Sequence, residues 1–193
     1  MIHHFYAYLS RMKFIRRWGL MRNTMPENDM EHAMQAAMIA HGLAILGNTR
    51  YQKNYNPEHA MALALFHDAS EVITGDLPTP IKHNNPQIKA EYQKIEHIAL
   101  RRLLQMLPED LQPAYQPVLE ADPKSPEWPL VRAADKLCAY IKCLEETKAG
   151  NNEFLEARSA ILATLHANPL PEVQDFLTEF IPGFGMSLDQ ISR

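Results

Sequence analysis

Residues 67–80, HDASEVITGDLPTP, follow a run from Ala60 to Phe66 that is apolar on nearly every side. A helix apolar all round belongs at the centre of its fold. Asn56-Pro57 opens it, a capping residue followed by proline at the first helical position. The pattern predicts that the helix continues to about Thr74-Gly75, with Pro78 and Pro80 holding the next loop extended. On such a helix His67 and Glu71 stand four apart and Asp68 and Glu71 three apart, on adjoining parts of one surface. An imidazole and two carboxylates within one turn are costly beside a core unless a metal holds them.

Outward from this stretch the chain reads as helix. Residues 2–18 place Phe5, Tyr8, Leu9, Met12, Ile15 and Trp18 at helical spacing. Asn28 with Glu31 resembles a capping box and opens a second helix through Met30, Met34, Ala37, Met38, Ile45 and Leu46 to a stop at Gly47-Asn48. Asn85-Pro86 starts a long amphipathic helix that ends at Pro108. The five prolines between 108 and 128 predict short helical turns and loop. Later helices carry Leu130 to Leu144, Phe154 to Leu165 and Val173 to Phe180. The ten methionines read as packing. With no alternating strand pattern and no repeat, the expectation is one all-α domain over 1–193, built from about seven longer helices.

Composition narrows the function. A net charge of −4 gives no footprint for nucleic acid. Arg11, Lys13, Arg16 and Arg17 interrupt any apolar run near the start, so neither a signal peptide nor a membrane span is expected. Cys138 and Cys143 fall about 140° apart around a helix and ~7.5 Å along it, too far to pair readily. They read as reduced thiols of a cytoplasmic protein.

Other helices offer metal ligands beside their apolar stripes. His32 follows the second helix's cap, and Asp135 interrupts a buried face between Val131 and Cys138. His41 lies about 180° round its helix from His32 and cannot share its site. The set His32, His67, Asp68 and Asp135 suits a divalent ion of the Mn, Co, Fe, Ni or Zn class better than Ca or Mg. Such an ion, with four protein ligands, keeps room for water and a substrate oxygen. The bland reading stays beside this one: Asp68 can simply orient a core histidine, and Glu71 can be a solvated residue near a helix end.

The order His … His-Asp … Asp, all on helices, resembles the HD-domain superfamily of metal-dependent phosphohydrolases. RRWGLMRN, ENDMEHAMQAAMIAH, HDASEVITGDLPTP and ADKLCAYIKCLEETKAGNNEF, in this order, closely resemble the bacterial HD-domain 5′-deoxynucleotidases. The resemblance implies a helical bundle with the metal site in its core between helices. It further implies one divalent metal, a homodimer, and hydrolysis of 2′-deoxynucleoside 5′-monophosphates to deoxynucleoside and phosphate. Carried over by position, His32, His67, Asp68 and Asp135 hold the metal, and Glu71 handles the attacking water. Arg17 orients the phosphate, Trp18 binds the nucleoside, and Asp76, Leu77, Pro78 and Thr79 hold sugar and base.

Arg17 is a planar fork suited to phosphate oxygens, and Trp18 offers a face to a base. Trp18 equally fits the core stripe of the first helix, and Asp76 equally fits a turn with Gly75. Three rival functions remain: hydrolysis of an alarmone, hydrolysis of a cyclic nucleotide, and a non-catalytic HD module that senses nucleotides. Val72 after Glu71 argues against the first, since alarmone hydrolases typically carry an acidic pair there. The lack of an evident second set of histidines argues against the second. The presence of every ligand and of Glu71 argues against the third.

Overall fold

The computed structural model describes residues 2–78 and 85–192. Its helices are α1 (Phe5–Leu9), α2 (Asp29–Tyr51), α3 (Pro57–Phe66), α4 (Glu71–Thr74), α5 (Pro86–Leu104) and α6 (Gln112–Leu119). They continue as α7 (Trp128–Lys148), α8 (Leu155–His166), α9 (Pro171–Glu179), α10 (Ile181–Phe184) and α11 (Leu188–Ile191). Among the described residues there is no strand, only an isolated antiparallel bridge between Arg16 and Asn28. The architecture is all-α, as expected, and no described helix is long and apolar enough to cross a membrane.

The core is a three-helix contact of α2, α3 and α7, closed by α9 and α10. Alanine makes it possible. Ala33, Ala36, Ala37, Ala40 and Ala44 of α2, Ala60 and Ala64 of α3, and Ala133 and Ala134 of α7 are all buried. Helix separation is set by the side chains at the contact, so alanine seams bring three backbones close enough for their polar residues to meet. Leu43, Leu63, Leu130, Leu137 and Ile141 fill what remains. A second, smaller cluster joins Phe5 to Ala69, Leu103, Leu104, Leu107 and Leu119.

Four expectations fail. The helix expected over residues 2–18 is only α1 and a 3-10 segment, Ser10–Phe14. Beyond it the backbone pairs with a distant strap: Arg17 N–H donates to Glu27 C=O at 3.1 Å and Asp29 N–H to Ile15 C=O at 3.2 Å. Trp18 then takes φ +57°, which no right-handed helix allows. Trp18 therefore lies in a turn and not on a helical core stripe.

Gly47 does not end α2, which runs on to Tyr51 and a left-handed Gln52 cap. Gly47 is instead a point of close approach, where a Cβ would meet the Tyr55 ring at 2.7 Å. The third helix breaks early: α3 stops at Phe66, and Glu71 N–H reaches back only to Asp68 C=O, at 2.9 Å, before the short α4.

Most of the described methionines are not core, although Met12 is 5% exposed and Met106 packs against the smaller cluster. Met30, Met34 and Met38 are 40–57% exposed along one side of α2, with Ile45 beyond them and Met61 and Leu65 on α3. The alanine stripe packs inward in their place. Seven described helices run eight residues or more, as expected in number. α6, in the proline-rich stretch, takes the place of the N-terminal one.

Candidate metal centre

The ligand candidates arrive from three helices. Asn28 caps α2, its side chain accepting from Met30 N–H and Glu31 N–H, which puts His32 in the first turn and 1% exposed. His67 is the residue that closes α3, Asp68 follows in the turn, and Asp135 stands on α7. Their polar atoms converge. His32 Nε2 lies 3.4 Å from His67 Nε2, 3.2 Å from Asp135 Oδ1 and 3.6 Å from Asp68 Oδ2. His67 Nε2 is 3.1 Å from Asp68 Oδ2 and 4.0 Å from Asp135 Oδ1. One ligand atom each from His32, His67 and Asp135 fits within a mutual separation of 4.8 Å.

The donor set fits a cation. His67 Nδ1 donates to Ala64 C=O at 2.7 Å, which leaves Nε2 with the lone pair turned to the cluster. Burial works against a charge on His67, but Asp68 and Asp135 outweigh it and raise its pKa to about 9. The field that would hold a proton there would hold a metal ion in its place. Burial likewise opposes ionisation of Asp68 and Asp135, yet His67, His32 and, for Asp68, Arg17 keep both carboxylates below their usual range.

Arg17 reaches the same point from the N-terminal turn. Its Nη1 donates to Asp68 Oδ2 at 2.9 Å and lies 3.6 Å from Asp29 Oδ1; its Nη2 lies 3.9 Å from Asp135 Oδ1. Burial would favour losing its charge, but Asp68, Asp135, Glu27 and Glu71 hold it firmly protonated. Trp18, next to it, packs its ring 5.3 Å from that of Phe154 and donates Nε1–H to Glu27 at 3.0 Å.

Glu71 is 4% exposed, and its Oε2 has no hydrogen-bond partner. Burial first, then Asp68, Asp29 and Asp76, push its pKa far up. It reaches this position through the turn at 67–70, not through the continuous helix read from the sequence. Asp29, fully buried one helical turn before His32, faces Glu71 with neither oxygen hydrogen-bonded. Two carboxylates have no hydrogen to offer each other, so their contact is favourable only with a proton held between them. Burial, with Asp68 and Asp76, raises Asp29 too, though less, because Glu71 and Arg17 work against it. Asp76 is close enough to act on both. Leu77 and Pro78 follow it, partly buried, and Thr79 lies outside the described residues. The sequence reading missed Asp29. Its one signal is an acid three residues before His32, in the first turn of α2.

An all-helical bundle with His32, His67-Asp68 and Asp135 gathered in this order has the architecture of an HD-domain phosphohydrolase. Solved structures agree on the fold. An HD-domain phosphohydrolase from Listeria innocua superposes with a TM-score of 0.81 at 23% identity, covering 98% of this chain and 95% of that one. A cyanophage S-2L HD phosphohydrolase, bound to dA and one catalytic Zn2+ ion, gives 0.61 at 22% identity over 91% of this chain and 93% of that one. The chain belongs to the 5′-deoxynucleotidase YfbR-like family, whose pattern matches residues 4–184. It is 52% identical to a 5′-deoxynucleotidase of Erwinia tasmaniensis over 100% of this chain and 98% of that protein. It is 53% identical to one of Photorhabdus temperata over 98% and 96%.

Proposed function

We infer that the chain is a metal-dependent 5′-deoxynucleotidase, which hydrolyses 2′-deoxynucleoside 5′-monophosphates to deoxynucleoside and inorganic phosphate. The observation that carries this is the convergence of His32, His67 and Asp135 within 4.8 Å beside Asp68 and Arg17, in a chain of this family. His32, His67, Asp68 and Asp135 would hold one divalent ion of the Co, Mn, Zn, Fe or Ni class. When bound, it supplies Lewis acidity towards water and a phosphoryl oxygen.

The chain's own residues do the rest. Glu71, whose buried Oε2 has no hydrogen-bond partner, takes a proton from the attacking water in its ionised form. The Arg17 fork leaves its carboxylate neighbours for the phosphate oxygens and orients them. Trp18, already packed on Phe154 by one part of its ring, presents the remainder to the nucleoside. By the family resemblance, Asp76, Leu77, Pro78 and Thr79 hold sugar and base.

The same reading makes 1–193 one catalytic domain and the protein a cytoplasmic homodimer. Two free, buried cysteines support the compartment. The exposed stripe Met30, Met34, Met38 and Ile45, continued by Met61 and Leu65, supports the dimer, because an apolar patch of this kind calls for a cover.

The test is phosphate release from dAMP, dGMP, dCMP and TMP against their ribonucleotides, with Mn, Co or Zn and with EDTA. Turnover of the deoxynucleotides that stops in EDTA is expected. Equal turnover in chelator removes the metal. Activity confined to cyclic or diphosphate esters removes the substrate class.

A further inference from the structure

Glu27 has no part in the reaction as derived above, yet three groups of the site face it. It ends the strap that leads into α2, and its backbone is fixed, because its carbonyl accepts Arg17 N–H at 3.1 Å and the next residue bridges to Arg16. Its side chain is 14% exposed. Oε2 accepts the Trp18 indole N–H at 3.0 Å and lies 3.6 Å from Arg17 Nε, and Oε1 lies 4.0 Å from His32 Nδ1.

Two of these three approaches are longer than hydrogen bonds, and in both the nitrogen is left over: Arg17 Nε and His32 Nδ1 are buried without a partner. A buried N–H without an acceptor is unfavourable, so each of the two gains by closing on the carboxylate it faces. His67 shows the contrast, since its Nδ1 is already held by the Ala64 carbonyl. An imidazole that gives Nε2 to a cation carries its proton on Nδ1, and a carboxylate accepting that proton fixes the ring and makes it the better ligand. For His32 the carboxylate facing Nδ1 is Glu27. The same carboxylate holds the indole and flanks the guanidinium.

We propose that Glu27 is a positioning residue that couples cation binding at His32 to the setting of Arg17 and Trp18. The proposal rests on the metal site inferred above. When His32 is drawn onto a cation, Glu27 Oε1 closes on Nδ1, and Oε2 carries the indole and the guanidinium with it. The settings of Arg17 and Trp18 then follow cation binding, although neither side chain would itself hold the ion.

Glu27→Gln separates the parts, because an amide oxygen still accepts from Trp18 while the charge facing His32 and Arg17 is lost. The full chain, carrying 5-fluorotryptophan at both Trp18 and Trp128, is titrated with Zn2+ and followed by 19F NMR and equilibrium dialysis. In the wild type, zinc is expected to shift the Trp18 resonance and leave that of Trp128 in place. In Glu27→Gln, zinc affinity is expected to fall about 10- to 100-fold, the scale of lost outer-shell partners. Its Trp18 resonance should no longer follow zinc, and at saturating zinc KM for dAMP should rise more than kcat falls.

Wild-type zinc affinity together with a persistent Trp18 shift in Glu27→Gln overturns the proposal. Should that variant not fold, Glu27→Asp keeps the charge but withdraws it by one methylene, and the same losses are expected in smaller degree. A wild-type chain that binds zinc with these shifts but hydrolyses no deoxynucleotide overturns the reaction and leaves the coupling standing. A chain that binds no zinc overturns both.

Discussion

Two buried charge clusters lie at opposite ends of the strap between Trp18 and α2, and they are built on opposite rules. At one end Glu146, 1% exposed, accepts from Thr24 N–H at 2.9 Å, Thr24 Oγ1 at 2.7 Å, Met25 N–H at 3.2 Å, Asn151 Nδ2 at 2.9 Å and the Lys142 ammonium. Lys142 in turn donates to the Met25 carbonyl. At the other end Asp29 and Glu71 are just as buried, at 0% and 4% exposed, but Asp29 has no hydrogen bond to either oxygen and Glu71 has none to Oε2. Burial pushes against ionisation in both places. Lys142, Thr24 and Asn151 overcome it at Glu146, whose pKa is driven well down, while nothing offsets it at Glu71, whose pKa goes up. A carboxylate saturated with donors is a fastener. One left short of donors is held ready for something that arrives later.

Substitutions can break this contrast. The largest effect is expected from Glu71→Gln, which should lower kcat by ~10²–10⁴-fold, the usual contribution of a general base. It should leave the melting temperature level or higher, because it removes an unsatisfied buried acid. Steady-state kinetics beside calorimetry decide it, and activity within tenfold of wild type removes Glu71 from the chemistry.

Glu146→Gln should do the reverse. Stability is expected to fall by roughly 3–5 kcal/mol in urea denaturation, as for a broken buried ion pair, with folded-state kcat little changed. A loss below about 1 kcal/mol would mean that the knot at Glu146 is no fastener.

The pH dependence sharpens the same point. The folded pKa of Glu146 lies below its ordinary value of 4.5. Its contribution is therefore complete above about pH 4.5 and is lost as pH falls through the depressed value. The stability gap between wild type and Glu146→Gln should be constant from pH 7 to 5 and close on further acidification. A gap that widens towards acid would reverse the sign and refute the assignment.

The smallest effect is expected from Asp29→Asn. Its amide can donate to Glu71 where the carboxylate cannot, so stability should rise by about 0.5–1.5 kcal/mol, the net worth of one hydrogen bond. A fall in urea midpoint would show that Asp29 finds a partner elsewhere.

The sequence exposed the site more clearly than the fold around it. The gathering of His32, His67, Asp68 and Asp135 was legible because only a few residue types can serve as candidate ligands, and their order along the chain survives whatever the helices do. The N-terminal turn was not legible. Periodicity at Phe5, Leu9, Met12 and Trp18 cannot reveal that Arg17 N–H pairs with Glu27 C=O ten residues on, and that pairing ends the helix. The face of α2 was misread because large apolar residues outweigh alanine in any hydropathy pattern, yet Ala36, Ala40 and Ala44 are the buried ones, at 0% exposed. Glu27 and Asp29 stayed hidden because, one on each side of a capping Asn28, they look like ordinary acids at a helix start. Only the burial of Asp29 and the three nitrogens around Glu27 set them apart.

The early stop of α3 has an electrical consequence as well. The helix ends at Phe66 with His67 as its closing residue, so the carbonyl end of its backbone faces the ligand cluster. That end carries a permanent partial negative charge, worth ~0.3–1 kcal/mol to a nearby cation. Had the helix run on to Thr74, this pole would sit two turns away. The bias towards cations is therefore written partly into the main chain, where no side-chain substitution erases it, and a chain stripped of His67 should still draw cations weakly to the same place.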